Sequence, residues 1–357
     1  MILVEADING TTHYVADRYK ALTHQWKGFL ENFSSITFGT RQDYGGYADI
    51  SYGTMNLIPN LFSASGDWPP PMEINITVKW LATDVSNVSE SNAVTYFVGK
   101  AYRSKITTTG VEYRLYHDND YTAKVTNGTA YNDTLVDVMT TLCGASYLNL
   151  TLDSTLALSP SPNVHFTTSG EKLAIDLASE ICAFYKHCFY IESGTLYLID
   201  MDTDNGTLSL PFYHFMESNV SDFAPIAELS ISGEDTWTPV TTSYPYGEKK
   251  SFQKYHDTEA NATSALNDIL TILQKPQGYV KIPLGKLGSD IPVIGEKVTW
   301  TDNDLYTGLN ISIRTRRIVF NLMDGYCEII GEGDVAVGTP VVFGTDRVVF
   351  GTDEVRF

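Results

Sequence analysis

The densest run of carboxylates in the chain is Asp200-Met201-Asp202-Thr203-Asp204-Asn205-Gly206, where acids at alternate positions could supply oxygen ligands to calcium. Its glycine falls one place late for an EF-hand loop and no helix pair flanks it, so the string reads first as a solvated turn between strands. His117-Asp118-Asn119-Asp120 is a shorter polar run with the same potential chemistry; it lacks a full loop pattern and reads as a turn. Sulfur is the other ligand type available. Cys182 and Cys188 bracket Ala183-Phe184-Tyr185-Lys186-His187, a wider separation than the Cys-x-x-Cys of zinc and iron–sulfur sites, while Cys143 and Cys327 lie far away in the chain. Three of the four sit in apolar patterns, which predicts buried free thiols, with a metal, a cluster or a disulfide as the alternatives.

Nucleophilic and phosphate chemistry find no foothold. There is no Gly-x-Gly-x-x-Gly, no Walker loop, no His-Glu-x-x-His and no Gly-x-Ser-x-Gly, and the seven histidines are scattered. His187, at the end of a helical pattern, is expected to cap carbonyls. Paired carboxylates of the glycosidase kind need only meet in space, so a cell-wall hydrolase remains an alternative with no residues to assign to it. The reading is a non-enzyme with no catalytic residue and no cofactor.

The elements that would position any site are mostly strands. Of 357 residues 12% are aromatic, with many Tyr, Thr and Gly, a composition that suits half-buried strands, and the length calls for two or three cores. A net charge of -19 argues against a nucleic-acid backbone as the main partner. The first twenty residues carry no basic leader before an apolar run, which predicts no export by signal peptide, and no stretch is long enough for a membrane-spanning helix. Asn-x-Thr triplets such as Asn75-Ile76-Thr77 are read as turn and strand chemistry.

Residues 1–125 read as a first β-barrel-like domain, with strands at Ile74-Trp80, Ala93-Val98, Ala101-Thr107 and Val111-Leu115. Gly45-Gly46 and Pro69-Pro70-Pro71 interrupt the pattern between Asp43 and Pro71, and Trp68 beside the prolines is either a docking surface or an anchor pinning the loop to its own barrel. Thr126 to Tyr131 reads as a hinge into an α+β middle domain, 126–210. There a helix capped by Asn132 or Asp133 and closed by Gly144 is followed by a strand at Tyr147-Leu152 and a loop at Leu158-Val164. Leu173, Ala174, Leu177, Ala178, Ile181, Cys182 and Tyr185 then recur at helical spacing, and Ser193-Gly194 turns a hairpin. Residues 211–330 read as a second β-barrel-like domain with one helix, Thr258 to Gln274, whose stripe is Ala265, Leu266, Ile269, Leu270 and Leu273.

Residues 331–357 form a short β-repeat tail. Val341, Val342 and Phe343, then Val348, Val349 and Phe350, then Val355, Arg356 and Phe357 are spaced by Gly-Thr-Asp turns. Such short strands are not stable alone, so these apolar residues, with Trp68, are the candidates for docking a partner.

The order of these units resembles a known family. Ile50-Ser51-Tyr52-Gly53-Thr54-Met55-Asn56-Leu57, Gly66-Asp67-Trp68-Pro69-Pro70-Pro71, Phe97-Val98-Gly99-Lys100-Ala101, Val111 to Tyr116, the helix-and-hairpin unit and Gly295-Glu296-Lys297-Val298-Thr299 look like the central hub proteins of bacteriophage tails, related to myophage baseplate hubs and type VI secretion spike proteins. The likeness covers residues 1–330 and leaves out the tail repeat. It implies a mainly β structural protein at the distal end of the virion tail, assembled in the host cytoplasm and concerned with host attachment and genome ejection. It further implies a homotrimer whose two β domains alternate around a ring, matching a sixfold tube to a threefold spike. The partners implied are distal tail or tube proteins, a central spike or fibre and the tape measure protein, with no direct nucleic-acid binding. Similar tip proteins hold an iron–sulfur cluster through cysteines, and the spacing of the cysteines here is wider than the common Cys-x-x-Cys. A distal receptor- or carbohydrate-binding module, using exposed Tyr residues, Trp68 and calcium, is the alternative.

Overall fold

The structure is a computed structural model, and it describes the chain except for residues 43–44, 52, 84–87, 117–120, 204, 210–216, 222–224, 257, 276, 288–291, 303–308, 337–347, 351–352 and 356–357. The protein is mainly β, with two large curled sheets and a helical middle, as the composition and the resemblance predict. The first sheet has seven strands in the order Thr11–Ala16, Ile2–Ile8, Glu73–Trp80, Val94–Ile106, Val111–Tyr116, Thr54–Leu57 and Leu30–Phe33. Alternate residues such as Ile2, Val4, Ala6 and Ile8 face one core while Glu5 and Asp7 on the same strand stay half-exposed. Gly99-Lys100 does not split a strand as expected: Val94–Ile106 runs unbroken, because Gly99 and Lys100 pair with Ile76 and Asn75.

The second sheet has eleven strands and draws on every part of the chain. At its centre lies a hairpin, Ile36–Gln42 and Gly45–Ser51, from the first 125 residues. On one side Ile36–Gln42 pairs antiparallel with Leu309–Asn321; on the other Gly45–Ser51 pairs parallel with His187–Glu192. Gly45 and Gly46 were expected to interrupt a strand, but they begin this one and make it possible. Their φ values are 136° and 90°, and a Cβ there would stand 2.4 Å from the His187 carbonyl and 2.7 Å from Ser179 Oγ. Two glycines thus let the hairpin lie directly on the middle helix, where Ser179 Oγ accepts the Tyr47 N–H at 2.9 Å.

Five helices are described: Asn60–Ser65 (α1), Leu135–Cys143 (α2), Ala174–Phe184 (α3), Glu259–Leu273 (α4) and Leu284–Leu287 (α5). Thr134, not Asn132 or Asp133, caps α2 by accepting the Asp137 N–H, because the strand Ala130–Thr134 runs up to it and the helix starts only at Leu135. Gly144 ends α2 at φ -59°, outside the left-handed conformation expected of it. Leu173 precedes α3 in extended form, since Lys172–Leu173 pairs with Lys124–Val125, and Tyr185 follows the helix as its C-cap. The expected hinge at Thr126 to Tyr131 is a clamped turn: Thr168 accepts from and donates to Thr129, and its hydroxyl donates to the Thr126 carbonyl. Thr151–Leu156 and Asn163–Thr167 are the strands where Tyr147-Leu152 and a loop were read; the latter pairs with Ala130–Thr134.

Two further boundaries shift. Helix α4 was assigned to the second β domain, yet Ala262, Ala265, Leu266, Ile269 and Leu273 pack into the same core as α2 and α3, through the small sheet of Ile226–Ile231, Val240–Thr241 and Glu248–Phe252. The tail does not start at residue 331. Tyr326–Ala336 is one strand, paired along its length with Leu309–Asn321, and it buries Glu332.

Candidate functional site

Within the acidic string read as a turn or a calcium loop, Asp202 faces the protein's own cations. Lys186 Nζ and Lys275 Nζ reach the two oxygens of Asp202 at 2.7 and 3.0 Å. Burial alone would raise the Asp202 pKa, but the two ammonium groups outweigh it and bring the carboxyl down to about 2. The neighbouring carbonyls are taken as well. Arg316 donates to Met201 O at 2.7 Å, Arg314 donates to Asp202 O at 2.9 Å, and both guanidinium groups bond the buried Glu332 carboxylate. With four cations on its carboxylate and carbonyls, the turn from Asp200 to Asp202 is a joint between the middle unit and the last long hairpin. Asp204 and the run His117 to Asp120 lie outside the described residues.

All four cysteines are free and buried. Cys143 and Cys182 lie in the middle core, with the Cys182 thiol 3.5 Å from Met139 Sδ; Cys327 belongs to the other large core. Burial pushes the Cys143 thiol up to about 11, so it is protonated at neutral pH. Among the described residues no three His, Cys, Asp or Glu side chains are arranged to hold a metal ion. His187 is fully buried; its Nδ1 donates to the Tyr185 carbonyl at 2.6 Å while Nε2 accepts the Leu158 N–H at 3.1 Å, which fixes a neutral ring. No described helix is long and apolar enough to cross a membrane.

The docking candidates divide. Trp68 is 54% exposed, so its ring is not what pins the proline loop. Tyr113 Oη donates to Pro71 O at 2.9 Å, the Arg103 guanidinium donates to Pro70 O, and Asn9 holds Asp67 at 2.6 Å. The loop is thus fixed through its carbonyls and a carboxylate, leaving the indole on the surface beside Met72, which is 60% exposed. Of the tail candidates, Val348, Val349 and Phe350 form the strand Val348–Phe350, paired antiparallel with Asp353–Val355 so that Val348 faces Val355 and Phe350 faces Asp353. Asp353, read as part of a turn, belongs to a strand because this register leaves a two-residue link. Val341, Val342, Phe343 and Phe357 lie outside the described residues. Among the described residues the tail hairpin joins neither large sheet.

No protein-family model matches the sequence, and no curated protein is significantly similar to it. Solved structures do share the fold. The tail protein from Neisseria meningitidis MC58 aligns over 93% of this chain and 96% of its own, with a TM-score of 0.54 at 11% identity. The 43 kDa tail protein of prophage MuSo2 from Shewanella oneidensis aligns over 92% and 95%, with a TM-score of 0.51 at 11% identity. The chain therefore has the fold of phage tail proteins, as its resemblance to the hub family predicts.

Proposed function

We propose that this chain is a structural, non-enzymatic subunit of a phage tail, and within it the hub of the tail tip or baseplate. Three copies form a ring that joins the sixfold tube to a threefold spike or fibre. The observation that carries the reading is a fold shared over nearly the whole length with phage tail proteins. The two large sheets support the finer step: each protomer brings two β bodies, and three protomers give six positions around an axis. In this reading the partners are distal tail or tube proteins, the tape measure protein and a central spike or fibre, and the chain sits at the distal end of the virion. A net charge of -19 suits a neighbour of passing DNA that does not bind it.

Mass measured on the purified chain is expected to be three times that of one protomer, and density of the intact particle should place the ring on the tail axis. A stable monomer found on peripheral fibres would end the hub assignment.

A further inference from the structure

At one end of the small three-stranded sheet the chain makes a turn, Tyr244-Pro245-Tyr246-Gly247, closed by the Gly247 N–H donating to the Tyr244 carbonyl at 3.0 Å. The turn is clamped to the neighbouring strand. Thr242 N donates to Ala227 O at 3.1 Å, Glu248 N donates to Pro225 O at 2.9 Å, and the Tyr244 N–H reaches Thr242 Oγ1 at 3.1 Å. Gly247 lies so close that a Cβ would meet Pro225 O at 2.6 Å. On this fixed support Tyr246 is 100% exposed. The backbone beneath this exposed ring is already fixed by these hydrogen bonds, so docking it costs little main-chain ordering, a property of an interface anchor.

The opposite end of the same sheet carries a cleft of about 250 Å³. Phe166 and Tyr255, edge to face with centroids 5.0 Å apart, supply its aromatic wall, and Ser169, Ser232 and Gln253 line it with polar groups. A benzene ring fills a cavity of about 150 Å³, so the cleft has room for one phenol, and the polar groups can meet its hydroxyl. The cleft's two lysines are already paired, Lys172 with Glu180 and Lys254 with Glu234, each at 2.6 Å, so the site favours a neutral guest. Copies that each carry -19 repel one another overall, and a contact between two uncharged faces adds nothing to that repulsion.

We propose that the Tyr246 turn of one protomer seats in this cleft of the next, a head-to-tail contact between copies of this chain. The inference rests on the homotrimer reading and names a contact that closes the ring. The two features cannot meet within one chain. Ile226 faces Glu248 at the knob end and Ile231 faces Phe252 at the cleft end, five residues or about 17 Å along the strand. A self-complementary pair at opposite ends of one element gives a heterologous interface, which closes a ring when the rotation fits.

The test uses the full chain. Tyr246→Ala removes a fully exposed ring and leaves the fold alone, and it is expected to raise the dissociation constant of the oligomer at least about 30-fold, read by sedimentation across a concentration series. In a second variant, Tyr246→Cys with Ser232→Cys, oxidation is expected to link different chains and close at three. Both sites are exposed, a disulfide needs Cα atoms within about 7 Å, and the four native thiols are buried. If the wild-type chain is a trimer, Tyr246→Ala leaves it unchanged and the cysteine pair yields no interchain link, the knob-and-cleft contact is wrong and the trimer reading survives. A wild-type chain that stays monomeric overturns the trimer reading itself, and this contact with it.

Discussion

Asp202 illustrates what a single side chain can and cannot announce in sequence. Its neighbours Asp200 and Asp204 gave it the spacing of a cation ligand, and it does ligate cations, but they are Lys186 and Lys275, 16 and 73 positions away. Nothing local could reveal them. The carboxyl is held at about 2 in the folded chain against an ordinary 3.8, so its contribution to stability is complete above about pH 4 and disappears as pH falls toward 2. Asp202→Asn is therefore expected to lower stability at neutral pH by on the order of 1 kcal/mol, a figure discounted because Asp202 is 44% exposed and its ion pairs are screened by solvent. The same substitution should flatten the acid-induced loss between pH 4 and pH 2. Urea unfolding of both proteins at neutral and acid pH reads this, and superimposable curves at neutral pH would leave the pairs without a stabilising role. Cys182 shows the opposite case: its place on an apolar helical stripe was enough to predict burial, because a one-residue environment follows from its own element.

Elements were legible wherever local pattern and tertiary use agree. Helix α4 runs where its apolar stripe predicts, opened by a threonine whose side chain accepts the Asn261 N–H, and Ser193-Gly194 turns its hairpin as the sequence predicts, with φ of 49° and 79°. The failures come from pairing across long separations. Lys172–Leu173 and Ala130–Thr134 looked like the beginning of a helix and a hinge, and became strands because Lys124–Val125 and Asn163–Thr167 recruit their backbones. The long hairpin Leu309–Asn321 with Tyr326–Ala336 carries the same lesson, since it has a register shift between Thr315 and Arg317 that no spacing rule reveals. At that shift Gly331 lies against the opposite strand, where a Cβ would stand 1.8 Å from the Arg314 carbonyl oxygen. Backbone cannot yield as a side-chain tip can. Gly331→Ala is thus expected to cost about 3 kcal/mol or more and to reduce soluble yield. Gly285→Ala is the control, because its nearest neighbour, a Trp80 ring carbon, would be 3.8 Å from the new Cβ and stability should change by less than about 0.5 kcal/mol. Denaturant unfolding of the two variants side by side decides the matter; equal stability would mean that the hairpin has freedom to open at its register shift.

At the scale of the whole molecule, the order of β, α+β and β units was readable, and their interweaving was not. A hairpin from the first 125 residues lies at the centre of a sheet completed by strands from the middle and the end of the chain, so the units share one framework. This changes where the tail can be cut. The strand Tyr326–Ala336 belongs to that framework through to Ala336, which pairs with Asn310, and Glu332 within it holds Arg314 and Arg316. Removal of everything after residue 331 would expose two arginines and unpair the last five residues of a strand, with unfolding as the expected result. Removal after Ala336 keeps every described strand of that sheet and takes away the residues that carry the repeat. Among the described residues the strands Val348–Phe350 and Asp353–Val355 pair only with each other, and an isolated two-stranded hairpin is marginal in water, so another surface is expected to complete the repeat. In the proposed hub, addition to the open sheet edge of a distal partner would satisfy its outer backbone groups, and three such tails on a threefold axis would hold a spike or fibre in register. The chain ending at Ala336 is therefore expected to fold and assemble as the full chain does, with unchanged mass in solution and an unchanged melting profile, while particles built with it lack a distal component. Particles that keep every component at full occupancy would show that the repeat is no anchor, and a loss of assembly by the shortened chain would assign it to the ring.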